Sequence, residues 1–170
     1  MFWLGRSIAE FQKLKEAISE SQKEDFEMKI EWVIATIARA GLMMRYLFEN
    51  YIILSKAKLF KPKDMAEVVR VCSKFWFIGV AGGFLANLIK LFKCQMALAA
   101  ASPKEEGKLA QKRSDLLYTV AASFGDATSS ANGSNFAQTV LGVSPTPLFI
   151  SSFGMVGSAM QLTKNWRATK

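Results

Sequence analysis

Apolar residues return every third or fourth position along most of this chain, and the face they trace changes character from one segment to the next. From Phe2 to about Ser21, Leu4, Ile8, Phe11, Leu14 and Ile18 share one narrow helical face with Trp3 at its edge, while Arg6, Glu10, Lys13, Glu16 and Glu20 lie on the other side. Two placements suit such a helix: packed on its own protein, or lying in a bilayer surface with the apolar face in one leaflet. The charged link Gln22-Lys23-Glu24-Asp25 breaks the pattern. A longer helix is predicted from about Glu27 to Leu59, with Glu27, Glu31, Arg45, Glu49 and Lys56 in a narrow arc, widened by Arg39 and Asn50. Its opposite half carries Val33, Ile37, Ala40, Met44, Leu47, Phe48 and Tyr51, a stripe that suits either a bundle core or a bilayer.

The next segment follows a basic loop with Lys56, Lys58, Lys61, Pro62 and Lys63. Asp64 and Glu67 have the spacing of an N-cap and its returning acid, so a third helix is predicted to start at Met65. Glu67, Arg70 and Lys74 share a face of its first turns, and from Phe75 to Ala86 no polar side chain remains on any face. A helix apolar all round is buried in protein or in lipid, and this chain has little protein to bury it in. The apolar run to Ile89 is short for a span of roughly 20 residues, and Lys90 and Lys93 are expected to extend it by snorkelling. Phe75 and Trp76 open the segment, and Gly79 and Gly83 form a small-xxx-small pair suited to close helix contact. Three glycines in this run would weaken a helix in water by about 1 kcal/mol each, so they are read as packing sites.

Ser102 to Arg113 is read as a charged loop leading into a fourth helix, about Leu109 to Phe124, that stops at Gly125-Asp126. The Ser- and Asn-rich stretch Thr128 to Asn135 is expected to be a flexible polar loop. From Ala127 to Thr163 there is no charged residue, and Pro145 and Pro147 divide this length. Leu148 to Leu162 is apolar with small residues at Gly154 and Ser158, closed by Lys164, Trp166 and Arg167 as by an interfacial anchor. It is read as a second membrane segment, and its length also suits a buried core helix of a soluble protein. The expected fold is therefore all-α: one membrane-associated bundle of about five helices over residues 1–170, with amphipathic helices and two short hydrophobic membrane segments.

Composition narrows the chemistry. Apolar residues make up 51% of the 170-residue chain, charged residues 21%, and the net charge is +8. Such a balance suits an anionic phospholipid surface. Nucleic acid is not expected, because Phe75, Trp76 and Phe77 sit in an uncharged run rather than among exposed cations. Histidine is absent, which removes the commonest general base, the Ser-His and Cys-His pairs and most zinc sites. Cys72 and Cys94, if on one helix, stand ~33 Å apart and cannot pair. The glycines form no phosphate-binding fingerprint, and Glu105 and Glu106 read as solvated. No catalytic constellation, metal site or cofactor is expected.

The order of these pieces resembles the peroxisomal biogenesis factor 11 (peroxin-11) family. Phe2-Trp3-Leu4-Gly5-Arg6-Ser7 with Phe11 is similar to its amphipathic segment, and Arg45-Tyr46-Leu47-Phe48-Glu49-Asn50 to its Arg-x-Leu-x-x-(Asp/Glu)-Asn helix. Lys74 to Lys90 resembles its aromatic membrane-entry segment, Asp126 stands where an Asp is common, and Gly154 to Gln161 resembles its last membrane helix. The resemblance implies a peroxisomal membrane protein that binds, curves and elongates the bilayer and self-associates, with Trp3, Leu4, Ile8, Phe11, Leu14 and Ile18 as the inserting face. Family members usually carry a further helical stretch before this motif, so a short form is expected. A short form also suits a second role, as an accessory subunit of a large complex of the mitochondrial inner membrane, such as a respiratory assembly or ATP synthase.

Overall fold

A computed structural model describes residues 2–20, 26–142 and 144–168. Among them are six helices and no strand: α1 (Phe2–Glu20), α2 (Phe26–Lys56), α3 (Met65–Ala99), α4 (Pro103–Gly133), α5 (Phe136–Leu141) and α6 (Pro147–Ala168). The all-α expectation holds, with one short helix more than the sequence suggested. The link Gln22 to Asp25 lies outside the described residues.

Each long helix packs mainly on its neighbours in sequence: α1 on α2, α2 on α3, α3 on α4, and α4 on α6. The last three pairs run antiparallel. Between α2 and α3, Glu31 meets Lys93 at one end, Gly41 meets Gly79 in the middle, and Phe48 stacks on Phe75 further along. Between α3 and α4, the Cys94 thiol reaches the Leu109 carbonyl, Asn87 donates to Ser123 and Phe84 meets Phe124. Between α4 and α6, Gly125 lies against Phe153 and Gly157, and Gly154 against Ser129.

Small residues make these crossings. A Cβ at Gly41 would stand 2.8 Å from the backbone N of Gly79, and one at Gly125 would stand 2.5 Å from the carbonyl oxygen of Phe153. The buried apolar residues are Ala38, Cys72, Ala86, Cys94, Ala122 and Ala137, and no described side chain larger than that of Ser130 is completely enclosed. A water-soluble domain of this length buries large apolar side chains at its centre. Here the interior is small and the large residues lie outside.

The start of α3 follows the sequence: the Asp64 carboxylate accepts from the Glu67 N–H at 3.0 Å, and the helix begins at Met65. The fourth helix is a correction. It runs from Pro103 to Gly133 rather than from Leu109 to Phe124, and absorbs both predicted loops. Pro103 stands in the first turn with Glu105 and Glu106, where proline suits the fixed φ and carboxylates suit the helix dipole. Beyond Gly125, the hydroxyls bond back into the helix, Thr128 to the Phe124 carbonyl, Ser129 to Gly125 and Ser130 to Ala127. Their polar atoms are thereby satisfied within the helix, and their small size lets α3 and α6 approach. Asn135, with φ 59°, turns the chain into α5, whose Phe136 stacks on Phe77 at 4.4 Å.

Candidate membrane-contact surface

Three exposed apolar stripes and the charges tucked between helices define this surface. In α1, Ser7 is buried and accepts a hydrogen bond from the Asn50 amide of α2 at 3.1 Å. Glu10, whose side chain is 14% exposed, pairs with Lys13 at 2.8 Å and with Arg39 of α2 at 3.7 Å. The apolar stripe is left largely uncovered: Ile8 is 58% exposed, Phe11 56% and Ile18 51%, and Leu14 is half-buried. Trp3 and Leu4 belong to α1, and their side chains lie outside the described set.

Along α2, Ile30, Val33, Ile37, Leu47, Tyr51 and Leu54 are all exposed at helical spacing. The sequence left two uses open for the apolar face of α2, and the structure divides it: Phe48 packs on Phe75 of α3, while these residues stay exposed among the described residues. Glu31, Arg39, Arg45 and Glu49 of the same helix are engaged in ion pairs. Arg45 holds Glu49 at 2.7 Å, and its guanidinium lies 4.5 Å from the Trp76 ring centroid, a cation–π distance. The carbonyl of Arg45 accepts from the Cys72 thiol. Residues of two of the stretches that carry the resemblance, Arg45 and Trp76, thus meet, and Ser7 joins Asn50 of the second stretch to the first. Sequence spacing alone gave no sign of this convergence, which depends on how α1, α2 and α3 sit side by side.

α3 is the one helix among the described residues long and apolar enough to cross a membrane, and only 11% of its most apolar 18-residue window is buried. A core helix of a soluble protein would be mostly covered. Ile78, Leu85, Phe92 and Met96 point outward from it. Phe75 and Trp76 are half-buried against α2, through Phe48 and Arg45. Lys90 and Lys93, expected to extend the span by snorkelling, both pair with Glu31 of α2, at 3.8 and 2.8 Å. An interhelical carboxylate offers them a charge partner without leaving the helix pair.

The glycine pair also differs in detail from the sequence reading. Gly79 meets Leu42 closely, with an added Cβ 2.7 Å from its Cγ, whereas nothing stands within 4 Å of one at Gly83. The second close approach is made by Gly82, against Ala38. In α6, a Cβ at Gly154 would touch the Ser129 hydroxyl at 3.4 Å, and Ser158 is exposed in an open cleft of about 290 Å³ with Asp126 and Asn165. The apolar part of α6, Pro147–Met160, is shorter than a full span. Lys164 and Arg167, read as its anchor, have side chains outside the described set. On the outer side, α3 and α4 leave an apolar cleft of about 330 Å³ lined by Leu88, Leu91, Phe92 and Leu117. Among the described residues no group of His, Cys, Asp and Glu could hold a metal ion.

Helices joined through small residues, with paired charges between them and large apolar residues outside, define an all-helical protein with a largely apolar surface. The family model for Peroxisomal biogenesis factor 11 (PEX11) matches residues 1–166, and the chain belongs to that family of peroxisomal membrane proteins, which acts in peroxisome proliferation. No curated protein and no solved structure matches the chain.

Proposed function

We propose that this chain binds the peroxisomal membrane and curves and elongates it, with α1 as a wedge in one leaflet. α3 crosses the bilayer, the outer stripe of α2 faces lipid beside it, and the apolar part of α6 enters the bilayer against α4. The observation that carries the reading is the split in α1: Ser7 and Glu10 hold the helix to α2, while Ile8 and Phe11 are more than half exposed. An amphipathic helix lying in the interface displaces headgroups on one side only and so favours curvature. The full chain reconstituted into anionic vesicles should draw tubules visible by electron microscopy. Ile8→Ser together with Phe11→Ser should abolish the tubules and leave the protein resistant to alkaline carbonate. Tubules of unchanged number from that variant would refute the wedge.

A further inference from the structure

We propose that the end of α2 and the loop that follows it, residues 56–63, form a second membrane-contact site, in which the lysines bind anionic phospholipid headgroups and Leu59 dips between them. This rests on the reading that α2 and α3 lie in the bilayer.

The charge is uncompensated. Lys56, Lys58, Lys61 and Lys63 are exposed, and none has an ion-pair partner among the described residues. The two nearest acids are engaged otherwise, Asp64 in capping α3 and Glu67 with Arg70. The backbone also holds the loop in an unusual way. The N–H of Leu59 bonds to the Leu54 carbonyl at 3.2 Å and that of Lys58 to Ser55 at 2.9 Å, the paired bonds that close a helix around a left-handed residue. That residue is normally glycine, and here it is Lys58, with φ 60°. Such a closure usually lets the following residue cover the last turn, so Leu59 would be expected to shield Leu54. Instead Leu59 is 71% exposed and Leu54 43%. Phe60 packs back on the end of α2, its ring 4.4 Å from that of Tyr51. The loop is anchored by Phe60 and turns Leu59 outward among lysines.

Position supplies the partner. The exposed stripe of α2 ends at Leu54, and the loop follows directly on it, so apolar surface gives way there to four lysines, as it does where hydrocarbon meets the headgroup layer. Lysine stems can lie along apolar surface there with their ammonium groups at the phosphates.

The test uses the full chain with Leu59→Cys carrying an environment-sensitive dye, reconstituted in phosphatidylcholine vesicles with and without phosphatidylserine. Cys72 and Cys94 are buried, and labelling of the unsubstituted chain sets the background. Phosphatidylserine should shift the emission to the blue, high salt should reverse the shift, and Lys58→Gln should raise the phosphatidylserine content needed by up to about fivefold. Changing all four lysines to Gln should remove the response, and changing all four to Arg should keep it. Emission indifferent to phosphatidylserine, or a full response from the four-Gln variant, overturns the proposal. So does a shift given by an added acidic polypeptide and not by the lipid, which would make the partner a protein. Ile8→Ser with Phe11→Ser in α1 separates the two readings: the dye response should persist there while tubules are lost. Release of the chain by alkaline carbonate would overturn both.

Discussion

Gly41 and Gly83 carry the same substitution to opposite ends. Both lie inside long helices, so replacing either by alanine gains similar backbone rigidity, about 1 kcal/mol. Their surroundings differ. A Cβ at Gly41 would stand 2.8 Å from the Gly79 N, 3.0 Å from the Phe75 carbonyl oxygen and 3.1 Å from the Gly79 Cα, all backbone atoms that cannot rotate aside. At Gly83 nothing lies within 4 Å. The methyl at Gly41 therefore forces α2 and α3 apart along their crossing, an overpacking cost of about 1–3 kcal/mol. The propensity gain cancels between the two variants, so their difference isolates the steric cost. Gly83→Ala should be more stable than the unsubstituted protein, and Gly41→Ala should fall below Gly83→Ala by that 1–3 kcal/mol. At roughly 2–4 °C per kcal/mol for a chain of this size, thermal unfolding in mild detergent, followed by circular dichroism, resolves the separation. Equal midpoints for the two variants would refute the crossing.

Three further outcomes are expected. Asn50→Ala removes the bond to Ser7 and should cost about 0.5–1.5 kcal/mol, read most directly as faster amide exchange in α1 with α3 unchanged; uniform exchange across both helices would contradict it. Glu31 should couple more strongly to Lys93 at 2.8 Å than to Lys90 at 3.8 Å in double-mutant cycles with Gln, each by no more than about 1 kcal/mol because the lysines are half-exposed. The reverse order of coupling would refute the geometry. Cys72 and Cys94 should resist maleimide in the folded protein and react after denaturation, and rapid labelling of either without denaturant would show that its helix crossing is open.

Periodicity carries the long helices well because a stripe repeats over many turns. The α2 stripe, the cap at Asp64 and the apolar run of α3 are all legible that way. It fails where one residue decides. The stretch Thr128 to Gly133 looks like a loop by composition, since serine and asparagine favour turns when exposed. Inside α4 the hydroxyls bond to the preceding turn instead, and Ser130 sits where a larger side chain would separate the helices. The charged run from Pro103 is likewise a solvated first turn, not a break. Gly79 and Gly83 match a familiar spacing, but the choice of Gly82 over Gly83 depends on where Ala38 of α2 lies, which no pattern within α3 contains. The same holds for Lys90 and Lys93: their partner is 62 residues away from Lys93, on another helix.

Magnitude argues for lipid as the surroundings of these helices. Burying a large apolar side chain is worth about 1.5–3 kcal/mol, and the six exposed residues of the α2 stripe are close to half uncovered. Left in water they forgo roughly 5–9 kcal/mol together, which is comparable to the whole net stability of a typical domain. α3 adds Ile78, Leu85, Phe92 and Met96, and α6 adds Leu148, Met155 and Leu162. In hydrocarbon that loss vanishes, and helices associate instead through close contact of small residues, which is how α2 meets α3 and α4 meets α6. The neighbour-to-neighbour order then has a mechanical consequence. α1 packs on α2 at the start of the series, so its movement into a leaflet need not disturb the crossings of α2, α3, α4 and α6. On the proposed reading, wedge and anchor are separable. Substitutions in α1 should remove membrane shaping while insertion persists, and substitutions at Gly41 or Gly125 should weaken the anchor.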